Sequence, residues 1–178
     1  MRQIIYHVAT TLDSYIAHED HTIEGFIPEG DHADEYLESL KHYDTVIMGK
    51  KTYEFGYKFG LKPGYAAYPH MRNYIFSKTL EIEPAQDNFQ IVDGNEISFI
   101  ETLKKEQGTP VYLCGGGDFA GFLLENELID QLILKQNPVI FGNGIRLFGK
   151  SVKQVGLSLE NQKVYTTGVL LLTYNINY

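Results

Sequence analysis

The sequence predicts an α/β fold with a mostly parallel central sheet. Short apolar runs typical of strands alternate with segments of helical periodicity, which is the pattern of parallel sheets flanked by helices. The clearest unit is a buried strand at Val111–Cys114, then three glycines, then apolar residues at helical spacing. With 178 residues, of which 43% are hydrophobic, the chain can bury a substantial core, and we expect one domain over residues 1–178.

Composition excludes several classes of function. Lys and Arg total 15 against 23 Asp and Glu, for a net charge of -8, and no basic run offers a track for nucleic acid. No stretch approaches the roughly 20 apolar residues that span a bilayer, and the first residues lack signal-peptide features. We therefore expect a cytoplasmic protein with no nucleic-acid or membrane partner.

The cysteine and histidine patterns predict no metal site. Cys114 is the single cysteine, which rules out an internal disulfide and a cysteine-based zinc site. The six histidines form neither an HxH nor an HExxH pattern.

The first half of the chain is predicted to alternate strand and helix. Its loop at His18–Gly30 is polar and irregular, which fits a mobile loop over a site as well as a plain surface loop. The predicted elements are a strand at Ile4–Val8 with a turn at Asp13-Ser14, a helix at Asp31–His42, a strand at Thr45–Gly49, a helix from Lys50, a loop at Gly56–Pro69 and a strand at Asn73–Phe76.

The second half continues the alternation and then changes. Residues 157–159 alternate in polarity and residues 168–178 form a long apolar strand, which together predict an antiparallel hairpin at a sheet edge. The other predicted elements are strands at Phe89–Val92 and Val111–Cys114, a helix at Ile97–Gln107, the helix after the glycines, and a strand from Gln131 interrupted at Asn137-Pro138.

Two strand-to-helix junctions are candidate phosphate sites. Glycines 115–117 allow backbone N–H groups to approach an anion at a helix start, and Lys50, Lys51 and Thr52 stand at another start. Ser77 and Lys78 follow a third strand, at the sheet edge where ligands bind in open α/β sheets. The glycines alone fit a tight connection equally well, and the lysines fit a solvated helix start.

Two segments match known nucleotide-binding motifs residue by residue, but neither is expected to bind the ligand of its motif. Gly144, Gly149, Lys150 and Ser151 fit a phosphate-binding loop, but the interval Ile-Arg-Leu-Phe suits a strand and no adequate helix follows. Gly115, Gly117 and Ala120 fit a dinucleotide fingerprint, but Lys135 occupies the region where an acidic residue is required.

Four stretches in this order resemble the dihydrofolate reductase superfamily, in particular the reductase domain of the riboflavin-biosynthesis deaminase/reductase. They are TLDSYIA, VIMGKKTYE, RNYIFSKTL and CGGGDFAGFLLENELIDQLILKQNPVIFGNGIRLF, and they span nearly the whole chain. The resemblance implies a dihydrofolate reductase-like fold and an NADPH-dependent reductase that acts on a pyrimidine- or pterin-like ring.

The resemblance also assigns cofactor contacts. It implies that Gly49, Lys50, Lys51 and Thr52 contact the cofactor phosphates and that Ser77 and Lys78 flank the adenosine phosphate. Ala9 and Ile16 would line the nicotinamide. The pyrophosphate would lie on Gly115, Gly116, Gly117, Asp118, Phe119 and Ala120, with a cis peptide bond between Gly115 and Gly116.

The substrate side departs from the family pattern. Asp31 and Asp34 lie in the region where dihydrofolate reductases place a substrate-binding carboxylate, and they are the candidate catalytic residues. Cys114 stands where riboflavin-pathway reductases have a glutamate. A nucleotide-binding module without turnover is therefore the alternative to an enzyme. The terminal strands are expected to expose Val169, Leu171 and their neighbours on a sheet edge that a monomer would have to protect, which predicts a homodimer. The resemblance implies the same, because related reductase domains pair.

Overall fold

The computed structural model describes residues 1–178 and has a central sheet of eight strands. The strands are β1 (Ile4–Thr10), β3 (Thr45–Gly49), β4 (Arg72–Phe76), β5 (Phe89–Val92), β6 (Val111–Gly115), β7 (Gln131–Gln136), β9 (Gly156–Val164) and β10 (Leu170–Asn177). Their order in the sheet is β5-β4-β3-β6-β1-β7-β10-β9.

Six of these strands run parallel, from β5 at one edge to β7. β10 pairs antiparallel with β7, and β9 pairs antiparallel with β10. The predicted parallel sheet and terminal hairpin are thus confirmed. A second, two-stranded antiparallel sheet joins β2 (Tyr15–Ala17) to β8 (Ile145–Arg146), a pairing that was not predicted from the sequence.

Four helices cover the two faces of the sheet, as expected for buried parallel strands. They are α1 (Asp31–Leu40), α2 (Lys50–Phe55), α3 (Glu96–Lys105) and α4 (Gly117–Glu125). A 3-10 helix at Gly56–Phe59 follows α2 directly, so the predicted loop at Gly56–Pro69 begins with a helical turn. No helix is both long enough and apolar enough to cross a membrane.

The core consists of two layers, one on each side of the sheet. One layer packs α3 and α4 on the sheet through Ile100, Leu103 and Leu123, all almost fully buried. The other packs α1 and α2 through Leu40 and Tyr53. At the carboxyl edge of the sheet, β3 leads directly into α2, and a single residue, Gly116, joins β6 to α4.

Candidate active site

A large cavity opens at the carboxyl ends of the parallel strands, where ligands bind in open α/β sheets. Its volume is about 1280 Å³, and it is lined by β1 at His7–Ala9, by β3 at Met48–Gly49 and by the turn after β6. Because pockets for a single small ligand measure roughly 300–1,000 Å³, this cavity has room for a dinucleotide together with a second molecule.

The glycine turn forms one wall of the cavity. The peptide bond between Gly115 and Gly116 is cis, as the resemblance implied. α4 begins at Gly117, and the amides of Gly117, Asp118 and Phe119 have no backbone acceptor within the chain. Such free N–H groups at a helix start form an anion-binding surface.

The lysine-bearing helix α2 begins directly after β3 and forms the neighbouring wall. Lys50 Nζ donates to the carbonyl oxygen of Thr79 at 3.2 Å and lies 3.8 Å from Glu54 Oε1. Lys51 is exposed. The Thr52 hydroxyl lies near the glycine turn, 3.0 Å from the point where a Cβ on Gly116 would stand.

Most of the predicted cofactor residues meet at this cavity. Those that line it are Ala9, Ile16, Gly49, Lys50, Lys51, Thr52, Ser77, Gly116, Gly117, Asp118 and Phe119. Three others do not: Gly115 and Ala120 are buried behind the turn, and the ammonium of Lys78 points away to an ion pair with Glu96 at 3.8 Å.

The structure does not bring Asp31 and Asp34 to the cavity, and a catalytic role for them stays a prediction. Both are exposed near the start of α1, and the face of that helix that reaches the cavity carries Tyr36 instead. The helix lies where it was predicted. Which of its sides faces the cavity is set by the burial of His32 and Leu40.

The inner end of the cavity contains a group of polar residues that sequence reasoning missed. We call it the inner cluster, and its members are His7, Tyr36, Tyr68, Tyr112, Cys114 and Lys135. The Tyr36 and Tyr112 hydroxyls lie 2.8 Å apart, and the Tyr68 hydroxyl lies 3.4 Å from Cys114 Sγ. Burial raises the pKa of Tyr36 to about 12, so its phenol is protonated at neutral pH.

Two signals in the sequence could have indicated this cluster. His7 and Lys135 each interrupt an otherwise apolar strand, and in the structure Lys135 pairs in register with Ala9, two residues after His7. In the sequence, Lys135 stands out only as a basic residue in the region where a dinucleotide fingerprint requires an acidic one. The three tyrosines come from separate elements, and nothing local to their sequence indicates that they meet.

The segment with the phosphate-loop pattern also lies at the cavity, although not as a phosphate loop. No helix follows it, and Ile145–Arg146 forms strand β8, as its apolar composition suggested. The carbonyl oxygens of Arg146 and Phe148 pack against Gly117 and Gly121 of α4, where a Cβ would come within 2.1 and 2.3 Å of them. Gly144, Arg146, Gly149 and Lys150 line the cavity.

Comparisons with known proteins agree with this architecture. The Bacillus subtilis (strain 168) protein YwjB is 28% identical over 174 residues, which cover 96% of each chain. A Shewanella sp. PV-4 protein whose name refers to riboflavin biosynthesis superposes over the whole of both chains with a TM-score of 0.81 at 21% identity.

Two further solved structures share the fold at lower identity. One is a diaminohydroxyphosphoribosylaminopyrimidine deaminase/5-amino-6-(5-phosphoribosylamino)uracil reductase from Thermotoga maritima, with a TM-score of 0.71 and 15% identity over 98% of this chain and 56% of that one. The other is dihydrofolate reductase from Enterococcus faecalis complexed with NADP(H), with a TM-score of 0.66 and 16% identity over 99% of this chain and 97% of that one.

The family model described as RibD C-terminal domain matches residues 2–172, almost the entire chain. The match includes every strand of the parallel sheet, the glycine turn and the cavity between them. This protein therefore belongs to the RibD C-terminal domain family and has a dihydrofolate reductase-like fold.

Proposed function

We propose that this protein is an NADPH-dependent oxidoreductase that transfers a hydride to a pyrimidine- or pterin-like ring, similar to 5-amino-6-(5-phosphoribosylamino)uracil reductase of riboflavin biosynthesis. One observation carries the proposal: a single cavity at the carboxyl edge of the sheet combines free helix-start amides and lysines at one end with an aromatic, polar inner end. Family membership and the NADP(H) complex of the Enterococcus enzyme support it.

The residues at the outer end fit the chemistry of a phosphorylated dinucleotide. The amides of Asp118 and Phe119 would hold the pyrophosphate, and the ammonium groups of Lys50 and Lys51 would add charge-assisted hydrogen bonds to phosphate oxygens. Ser77 and Thr79 offer hydroxyl groups on the same wall. Charged donors and oriented amides together favour an anion far more than either alone.

The remaining residues would orient the reaction. Reduced nicotinamide, when bound, supplies a hydride to a C=N or C=O carbon. Ala9 and Ile16 present small apolar surface on which a nicotinamide ring can lie, and the inner cluster adjoins Ala9 through the pairing of β1 with β7. Proton delivery then falls to a protonated group of this cluster or to water.

A nucleotide-binding module without turnover is the second candidate. One observation favours it: no carboxylate belongs to the inner cluster, because Asp31 and Asp34 lie outside the cavity and Cys114 takes the place of a family glutamate. Such a module would bind NADPH and reduce nothing.

Cofactor oxidation separates the two candidates. NADPH absorbance is followed with a panel of pterin and aminouracil substrates, and NADPH without substrate is the control. We expect a substrate-dependent loss of absorbance with at least one ring of the panel. NADPH binding without turnover on any member of the panel would favour the module, and absence of NADPH binding would contradict both.

A further inference from the structure

The inner cluster contains a cation that has no counterion within the chain. Lys135 Nζ lies 4.8 Å from the centroid of the Tyr36 ring, and no carboxylate lies within ion-pair distance of it. Two carboxylates line the cavity, Glu19 and Asp118, and neither pairs with Lys135. Partial burial lowers the pKa of Lys135, because a desolvated ammonium without a partner is disfavoured.

His7 is the second unpartnered group. Its side chain is 4% exposed and lines the cavity, yet neither ring nitrogen has a hydrogen-bond partner. Buried polar atoms are almost always satisfied, so two bare nitrogens on one ring indicate that a partner from outside the chain completes them. A neutral imidazole offers one N–H donor and one acceptor.

The surrounding rings give this end a defined shape. Tyr36 packs edge-on against His7, with 5.0 Å between ring centroids, and Tyr112 packs edge-on at 6.4 Å. The phenols of Tyr36 and Tyr112 bond to each other. The donors of Lys135 and His7 therefore remain free for a ligand.

We propose that Lys135 and His7 are the specificity-determining residues of this cavity and that they select a substrate ring carrying an anionic oxygen. Lys135 supplies the charge, and His7 supplies an additional N–H donor from the neighbouring strand. An amino-substituted ring that binds as a cation is rejected, because it would lie beside Lys135 with no carboxylate to offset the repulsion. This inference rests on the proposed function, in that the ligand is the substrate of a reductase.

Two matched pyrimidines test this selection by calorimetry. Barbiturate is an anion near neutral pH with three exocyclic oxygens, and 2,4,6-triaminopyrimidine has amino groups at the same ring positions and readily forms a cation. We expect barbiturate to bind about tenfold more tightly or better, as a charge-assisted hydrogen bond warrants. Equal or tighter binding of triaminopyrimidine, or no barbiturate binding at millimolar concentration, would overturn the proposal.

Variants assign the effect to the two residues. Lys135→Met should weaken barbiturate binding about tenfold and leave triaminopyrimidine binding unchanged or tighter. Lys135→Arg keeps the positive charge and should retain most of the barbiturate affinity. His7→Phe should weaken barbiturate binding less than Lys135→Met does. Lys163→Met removes the same charge from β9, away from the cavity, and should change neither affinity. Unchanged barbiturate affinity in Lys135→Met, with an unchanged melting temperature, would refute the assignment.

NADPH affinity, measured on the same samples by fluorescence, keeps this inference separate from the proposed function. If NADPH binds and the pyrimidine selection fails, the inference alone is wrong. If the unmodified protein does not bind NADPH, the proposed function fails.

Discussion

At the scale of single residues, burial decides the protonation state of His7. Its ring is enclosed by Tyr36 from α1 and Tyr112 from β6, and Lys135 faces it from β7. Burial, reinforced by the nearby Lys135 ammonium, lowers the pKa of His7 from 6.5 to about 4. The folded protein therefore holds this imidazole neutral.

We predict that His7 makes the folded state less stable as the pH falls from 6.5 towards 4. In that range the unfolded chain binds a proton at His7 and the folded chain does not, so the free energy of unfolding decreases with acidification, by up to about 3 kcal/mol. Proton–carbon NMR of the histidine rings as a function of pH measures the pKa of His7, from which the change in stability follows, and the His7→Gln variant identifies the signal of His7. A midpoint near 6.5 for that signal would show that the ring is hydrated and would contradict the account.

At the scale of elements, the glycines of α4 and its preceding turn have two distinct tasks. Gly117 and Gly121 lie one helical turn apart and face the carbonyl oxygens of Arg146 and Phe148, so they hold β8 and its following turn against the helix. Gly116 has a backbone φ of -91°, which any residue adopts, and its missing Cβ leaves space beside Thr52. We infer that, among these three glycines, the absence of a Cβ serves the ligand only at Gly116, whereas Gly117 contributes its backbone amide.

We predict that Gly116→Ala impairs NADPH binding more than it lowers the melting temperature. The added Cβ would stand 3.0 Å from the Thr52 hydroxyl, in the wall where we place the pyrophosphate. Gly121→Ala is the matched variant, since its Cβ would stand 2.3 Å from the Phe148 oxygen, and it should cost about 1–3 kcal/mol of stability. Calorimetric binding and thermal unfolding of both variants check this. Unchanged NADPH affinity in Gly116→Ala would show that the glycine turn has only a structural role and would contradict the prediction.

The same elements show what a sequence can predict. The strands β3 and β6 and the helix starts behind them follow from local composition, because an apolar run and a glycine turn each act within a few residues. For β8, local composition indicates only that the segment suits a strand, because its pairing with Tyr15 and the packing of Arg146 on Gly117 involve residues that are distant in the sequence. The inner cluster was missed for a related reason: which side of a strand His7 faces depends on neighbours from three other elements.

At the scale of the whole molecule, the terminal hairpin exposes an apolar surface, but at other residues than the predicted Val169 and Leu171. Val169 is fully buried, and β10 lies inside the sheet between β7 and β9. The edge strand on this side of the sheet is β9, in which all nine residues are exposed. Leu157 and Leu159 remain 46% and 52% exposed, beside their cross-strand partners Ile176 and Tyr174.

We propose that a second copy of the chain covers this edge and predict a homodimer. The free backbone groups of an edge strand are complementary to the same strand of a copy related by a twofold axis. Light scattering at micromolar concentration should give about twice the chain mass of 20.3 kDa. Leu159→Lys should shift the mass towards the monomer, whereas Leu37→Lys, at a 60% exposed leucine on α1, should not. A mass near 20.3 kDa for the unmodified protein would contradict the proposal.

The central claim is that this cavity binds NADPH through its phosphates, and the most direct test compares the calorimetric dissociation constants of NADPH and NADH. NADPH differs from NADH by a 2′-phosphate on the adenosine ribose, and we place this phosphate beside Lys50 and Ser77, which line the cavity. We therefore predict a preference for NADPH of about tenfold or more. Lys50→Met should remove most of that preference, and Lys78→Met should preserve it because Lys78 lies outside the cavity wall. Equal dissociation constants for the two cofactors in the unmodified protein would contradict the account.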